Sequence, residues 1–343
     1  MKIDINKLVR QNILNMSPYS SARDEFSGSD GIFLDANENP TGNYNRYPDP
    51  HHTELKCVLG KVKSIAPENI FLGNGSDEVI DLIFRTFANP GRDKAIICPP
   101  TYGMYEVSAN VNDVEIIKIP LLPNFQLNKE TIFETIEQEK DIKLIFICSP
   151  NNPTGNLIEG IEEVVEKFNG IVVVDEAYID FSPEDSKAQA IHCYNNLIVS
   201  QTLSKAWGLA GVRVGFAFAQ AEIIALLNKI KPPYNISTLN QQQALARLSH
   251  PEEFESERDE ILAERERLKK ELLQLPLVQK VYPSSANFLL VEVSDANRVY
   301  NRLVDKNVIV RNRNSIIKNC IRITVGTQQE NDVLLTELKD ISK

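Results

Sequence analysis

No two of the five cysteines form a C-x-x-C pair, and they are odd in number and widely spaced. That spacing offers neither a zinc site nor a disulfide framework. Cys98 and Cys148 close apolar runs (AIIC, LIFIC), the setting of an inert, buried thiol. Positive charge is also short, with 37 Lys and Arg against 47 Asp and Glu for a net charge of -10. This argues against a general nucleic-acid binder, which holds phosphates with excess cations. Uninterrupted apolar stretches such as Ile171 to Val174 fall far below a membrane span. The opening MKIDINKLVRQNILNM has no apolar run long enough for a secretory core. His51 and His52 are adjacent but have no third ligand nearby, so no metal is expected. These absences lead to the expectation of a protein of the reducing cytoplasm, with no membrane and no nucleic-acid partner.

What is present is an alternating pattern. Short apolar runs at Ile70–Leu72, Ala95–Cys98, Glu115–Ile119, Leu144–Cys148, Ile171–Val174, Leu197–Ser200 and Val214–Phe218 alternate with helical segments. Their nearly continuous apolar character predicts strands covered on both faces, in an α/β fold with a mostly parallel sheet. One helix is readable from Val79, Ile80, Ile83, Phe84 and Phe87 on a single face, stopped by Asn89-Pro90-Gly91. The tail differs. Phe254, Ile261, Arg265, Leu268 and Leu272 mark one side of a charged helix over Pro251–Leu273, with surface pairs such as Glu266–Lys270. Strands return at Phe288–Val293, Val308–Val310 and Ile321–Val325, before a closing helix after Glu330. The expectation is a smaller α+β domain at the C-terminus. The boundaries read as 1–45 for an N-terminal arm and part of the small domain, 46–235 for the large domain and 236–343 for the small one.

In an open α/β sheet, ligands sit beyond the carboxyl ends of the strands. Four predicted strand ends run into polar segments: GNGSDE, SPNNPTG, DEAY and QTLSKAWGLAGVRVG. Gly, Asn, Asp, Lys and Arg at four ends describe one site. These segments resemble the aspartate-aminotransferase-like fold, fold type I of the pyridoxal-phosphate enzymes, from Pro18-Tyr19 to Arg322. In order, MSPYSSARD, LDANENP, NRYPDP, NGSDE, PPTYGMY, SPNNPTG, VDEAYIDF, TLSKAWGLAGVRVG and IRITVG resemble the histidinol-phosphate aminotransferase family within that fold. Trp207 stands where that pattern carries Phe or Tyr.

The resemblance implies a homodimer with pyridoxal 5′-phosphate in the large domain, held as a Schiff base on Lys205. Once freed, that amine serves as general base, and burial near cationic Arg213 would lower its pKa. Asp175 is implied as the carboxylate facing the pyridine nitrogen, Tyr178 and Asn152 as partners of the ring's phenolic oxygen, and Tyr102 as the stacking ring. Ser76 and Asp77 open a helix whose N–H groups suit a phosphate. Thr202, Ser204 and Arg213 add hydroxyls and a guanidinium fork. Arg322 matches the arginine for a substrate carboxylate, and Arg311 a second anion anchor, with Arg313 left as an ordinary charge. Tyr19 is implied as part of a lid over the substrate. Tyr47 is implied to act across the dimer interface. The substrates so implied are histidinol phosphate and glutamate or 2-oxoglutarate, since guanidinium forks accept phosphate and carboxylate alike. Three readings compete: a threonine-phosphate decarboxylase, an aromatic-amino-acid aminotransferase, and a regulatory protein that has lost the chemistry.

Overall fold

The computed structural model describes residues 3–20 and 31–342; residues 21–24 of the MSPYSSARD segment lie outside the described residues. Among the described residues, the larger sheet contains β1 (Ile70–Gly73), β2 (Lys94–Ile97), β3 (Glu115–Lys118), β4 (Ile142–Cys148), β5 (Ile171–Asp175), β6 (Leu197–Thr202) and β7 (Gly215–Phe218). Their order is β1-β7-β6-β5-β4-β2-β3. Strands β3, β2, β4, β5 and β6 run parallel, whereas β7 is antiparallel to both β6 and β1. The mostly parallel sheet read from the sequence is therefore present, with strand ends displaced by at most two residues.

Helices α1 (Gln11–Asn15), α2 (Thr53–Lys63), α3 (Ser76–Phe87), α4 (Met104–Val111), α5 (Lys129–Gln138), α6 (Ile161–Lys167), α7 (Ala221–Ile230) and α8 (Thr238–Leu248) accompany this sheet. Side chains alternate across a pleated strand, and here both faces are dry. Ile145, Ile147, Val172 and Val174 enter one core, while Leu144, Phe146, Ile171 and Val173 enter the other. The second of these cores also takes Ile5, Leu8, Val9 and Ile13 from the N-terminal segment and the predicted apolar face of α3.

The smaller sheet holds β8 (Val278–Val281), β9 (Phe288–Val293), β10 (Arg311–Asn312) and β11 (Cys320–Thr324), antiparallel in the order β10-β11-β9-β8. It packs with α9 (Pro251–Leu272), α10 (Ala296–Asp305) and α11 (Gln328–Ile341) around Leu268, Leu289, Val291, Ile321 and Leu335. A Thr327/Glu330 capping box starts α11. Helix α9 joins the two units: Phe254 lies in the larger sheet's core, and Leu268 and Leu272 lie in the smaller one. At its start, Phe254 stacks on the buried Trp207 ring at 3.9 Å.

Two expectations need correction, and one strand has no counterpart among them. Val308–Val310 is not a strand; the Val308 N–H closes the turn after α10 by donating to the Leu303 carbonyl (2.9 Å), so the ladder begins only at Arg311. Strand β8 was not expected, because exposed Gln279 and Lys280 interrupt its apolar pattern. Glu266 meets Arg265 (3.4 Å) rather than Lys270, on a guanidinium whose position is set by the Ala286 carbonyl (3.0 Å).

Candidate active site

The carboxyl ends of β1, β4, β5 and β6 open into a cavity of about 620 Å³. Ser76, Asp77, Tyr102, Asn152, Asp175, Tyr178, Thr202, Ser204, Lys205, Arg213, Arg311 and Arg322 all line it. Tyr19 and Tyr47 do not. Tyr19 is exposed in a separate cleft beside His51 and Lys229. Tyr47, also exposed, stacks on Tyr234 at 4.3 Å.

The loop after β4 forms the floor. Asn151 anchors it by donating to the Pro100 carbonyl (2.8 Å) and the Thr154 hydroxyl (2.7 Å). Gly155 has φ +81, and a Cβ there would press into Ser284; glycine satisfies both demands. Ser285 N–H then donates to the Gly155 carbonyl (2.7 Å), tying the floor to the segment that leads into β9. Asn152 next to it donates from Nδ2 to the Tyr178 hydroxyl (3.2 Å), and its Oδ1 accepts from Arg322 Nη1.

Asp175 closes β5 and is buried. Its Oδ2 accepts from the Tyr105 hydroxyl (2.7 Å) and its Oδ1 from the Ala177 N–H (3.2 Å). Burial pushes its pKa up, and these two donors push back toward the carboxylate. Tyr105 is a residue the sequence reading missed. It is fully buried, stacked on Phe146 and edge-on to Tyr102. A buried tyrosine hydroxyl needs a partner, but its sequence position does not say which.

Lys205 opens onto the cavity, with Nζ 5.8 Å from the Tyr178 ring centroid. Its pKa is lowered, first by desolvation against the cavity walls and then by the positive charge of Arg322; Arg213 contributes less, while Asp175 and Asp77 oppose the shift. The depression expected at this lysine is present, though Arg322 outweighs Arg213. Tyr178 has its phenol pushed well above the ordinary value, chiefly by burial.

At the start of α3 the N-cap is Gly75, at φ 79 and with no side-chain cap. The first N–H groups are thus left to a ligand. A Cβ at Gly75 would overlap the Arg213 guanidinium, so glycine lets that cation lie over the helix start. Asp77, the second residue of the helix, accepts from the Tyr102 hydroxyl (3.1 Å) instead of capping the helix. Thr202 donates to Ser204 Oγ (3.0 Å), and its strand partner Gly215 lies directly against the Ser76 backbone. Hydroxyls, free N–H groups and one guanidinium make a donor set for a phosphate.

Fold and cavity define a class. Residues 29–338 match the family described as aminotransferase class I and II. A histidinol-phosphate aminotransferase of Parabacteroides distasonis is 51% identical over 343 residues, 98% of this chain and 99% of its own. One of Christiangramia forsetii is 50% identical over 345 residues, 98% of each chain. Among solved structures, the histidinol-phosphate aminotransferase from Clostridium acetobutylicum has a TM-score of 0.80 at 25% identity, over 88% of this chain and 91% of that one. Within the class I and II aminotransferases, the chain belongs to the histidinol-phosphate aminotransferase family.

Proposed function

We propose that this chain moves an amino group between histidinol phosphate and 2-oxoglutarate, giving imidazole-acetol phosphate and glutamate, a step of histidine biosynthesis. Pyridoxal 5′-phosphate is the cofactor. The observation that carries this reading is one cavity joining Lys205, Asp175, Asn152 and Tyr178 to arginines from the smaller sheet. The donor set around Ser76, Thr202, Ser204 and Arg213 fits the cofactor's phosphate, and Asp175 fits its ring nitrogen. When bound, the cofactor supplies an electron sink next to the substrate's amine-bearing carbon.

The chain's own groups do the rest. Lys205 Nζ, whose charged form is disfavoured by burial and by Arg322, is placed to take the proton from that carbon and return it elsewhere. Asp175, oriented by Tyr105 and Ala177, would set its carboxylate against the ring nitrogen. Asn152 and Tyr178, bonded to each other, would present donors to the ring oxygen. Tyr102 would cover the ring face. Arg322 and Arg311 hold the anionic ends of either substrate, so one pocket serves both half-reactions in turn. Tyr47, exposed on one chain, completes the partner subunit's phosphate site in a homodimer, and Tyr19 closes over the substrate. Among the described residues no helix is long and apolar enough to cross a membrane, and we place the enzyme in the cytoplasm.

A half-reaction screen tests the assignment. Histidinol phosphate and glutamate should each convert the bound cofactor to its amine form, read by absorbance, while dephosphorylated histidinol reacts poorly. Arg322→Ala should slow both half-reactions by roughly ten- to a hundredfold, the value of one charged hydrogen-bonded contact. Equal efficiencies for histidinol and its phosphate would move the assignment to an aromatic aminotransferase. Carbon dioxide released from threonine phosphate would move it to a decarboxylase.

A further inference from the structure

Three guanidinium groups, not two, meet at the substrate end of the cavity. Arg311 and Arg322 face each other across the β10–β11 ladder. Arg313 lies two residues beyond Arg311, and it lines the same cavity. Its backbone is pinned from both directions: its N–H donates to the Cys320 carbonyl (2.9 Å), and its own carbonyl accepts from Ile316 (2.9 Å) and Ile317 (2.8 Å). This is a fixed position in a hairpin, not a side chain on a trailing loop.

None of the three has a carboxylate partner among the described residues, although the protein is acidic overall. Arg322 is engaged by Asn152 and lies 5.0 Å from the Phe288 ring centroid. The Nε atoms of Arg313 and Arg322 are buried with no partner. Burial, with the charges of Arg322 and Arg311, pushes the Arg313 pKa down to about 10. A cluster so arranged holds like charges together without compensation. It is relieved in proportion to the anionic charge brought to it.

A carboxylate carries one negative charge and is met by one bidentate fork. A phosphate monoester carries about −1.5 to −2 at neutral pH and offers three acceptor oxygens. Resting on the histidinol-phosphate reading above, we propose that Arg313 is a specificity-determining residue that joins Arg311 on the substrate's phosphate. The pair then favours a phosphorylated amine over a dicarboxylate at the same place.

The test uses the cofactor-loaded enzyme and compares substrates within each variant. In Arg313→Gln, kcat/KM for histidinol phosphate should fall at least tenfold further than kcat/KM for glutamate. Arg313→Lys keeps the charge but loses the fork, and should fall between. Inorganic phosphate, as a competitive inhibitor of the glutamate half-reaction, should bind about tenfold more weakly to Arg313→Gln than to wild type. Equal losses for both substrates, with unchanged phosphate inhibition and the cofactor spectrum intact, would overturn the role of Arg313 alone. A wild type that turns over glutamate but not histidinol phosphate would instead remove the reading on which it rests.

Discussion

The two ends of the cavity are built in opposite ways. At the large-sheet end, buried Asp175 takes two donors, and Asn152 uses both ends of its amide, one on Tyr178 and one on Arg322. At the small-sheet end, Arg311 is exposed, Arg313 and Arg322 are half-buried, and none of them meets a carboxylate among the described residues. Paired polar groups in a dry setting are rigid and hold one ligand in one orientation. Guanidiniums without a carboxylate partner, in a wetter setting, keep their charge for whichever anion arrives. A site that keeps its cofactor and exchanges its substrates needs both.

The comparison breaks most completely at Lys205. Lys205→Ala should lower turnover by more than about a thousandfold, since it removes the amine proposed as general base. Borohydride reduction of the wild type followed by peptide mapping should place the pyridoxyl group on Lys205. Its recovery on another lysine would refute the assignment of this end.

Asp175→Asn should reduce single-turnover proton abstraction by roughly a hundred- to a thousandfold, the range seen when a preorganised electrostatic partner is removed. The cofactor should stay bound, because the donor set proposed for its phosphate lies on other elements. Wild-type single-turnover rates would show that the buried carboxylate is only structural.

The smallest effect sharpens the comparison from outside the cavity. His52 is buried, both its ring nitrogens lack partners, and its pKa is lowered to about 3, chiefly by burial. Above the unfolded value of 6.5 the ring is neutral in both states and adds no pH dependence. Below it, the unfolded chain binds a proton that the folded chain refuses, so stability falls with pH, by about 1.4 kcal/mol at pH 5.5. Urea midpoints should show this loss in wild type and not in His52→Asn, a residue that tolerates the left-handed backbone at this position (φ 52). An identical slope in the two proteins would show that His52 is protonated in the fold.

Much of this architecture was legible in the sequence because strands buried on both faces leave continuous apolar runs. Ile142–Cys148 and Ile171–Asp175 stand out for that reason. Strand β8 did not, since a strand with exposed positions and polar residues has no such run. Likewise Val308–Val310 has the composition of a strand, but the turn closing α10 uses its first N–H.

By itself, the sequence determined where the polar segments sit relative to the strand ends, and so that GNGSDE, SPNNPTG, DEAY and the Lys205 segment converge. That a polar segment follows each strand is local information, and the convergence follows from the general rule that open α/β sheets bind ligands beyond the carboxyl ends of their strands. Only the tertiary structure decided that Tyr105 rather than another hydroxyl meets Asp175, seventy residues away. It also decided that Arg322 outweighs Arg213 at Lys205, and that Arg313 turns inward beside Arg311. Hydrogen bonds and charge coupling depend on distance in space, and residues far apart in the chain come that close only once the chain has folded, within one sheet's unit for Tyr105 and Asp175 and between the two for Arg322 and Lys205.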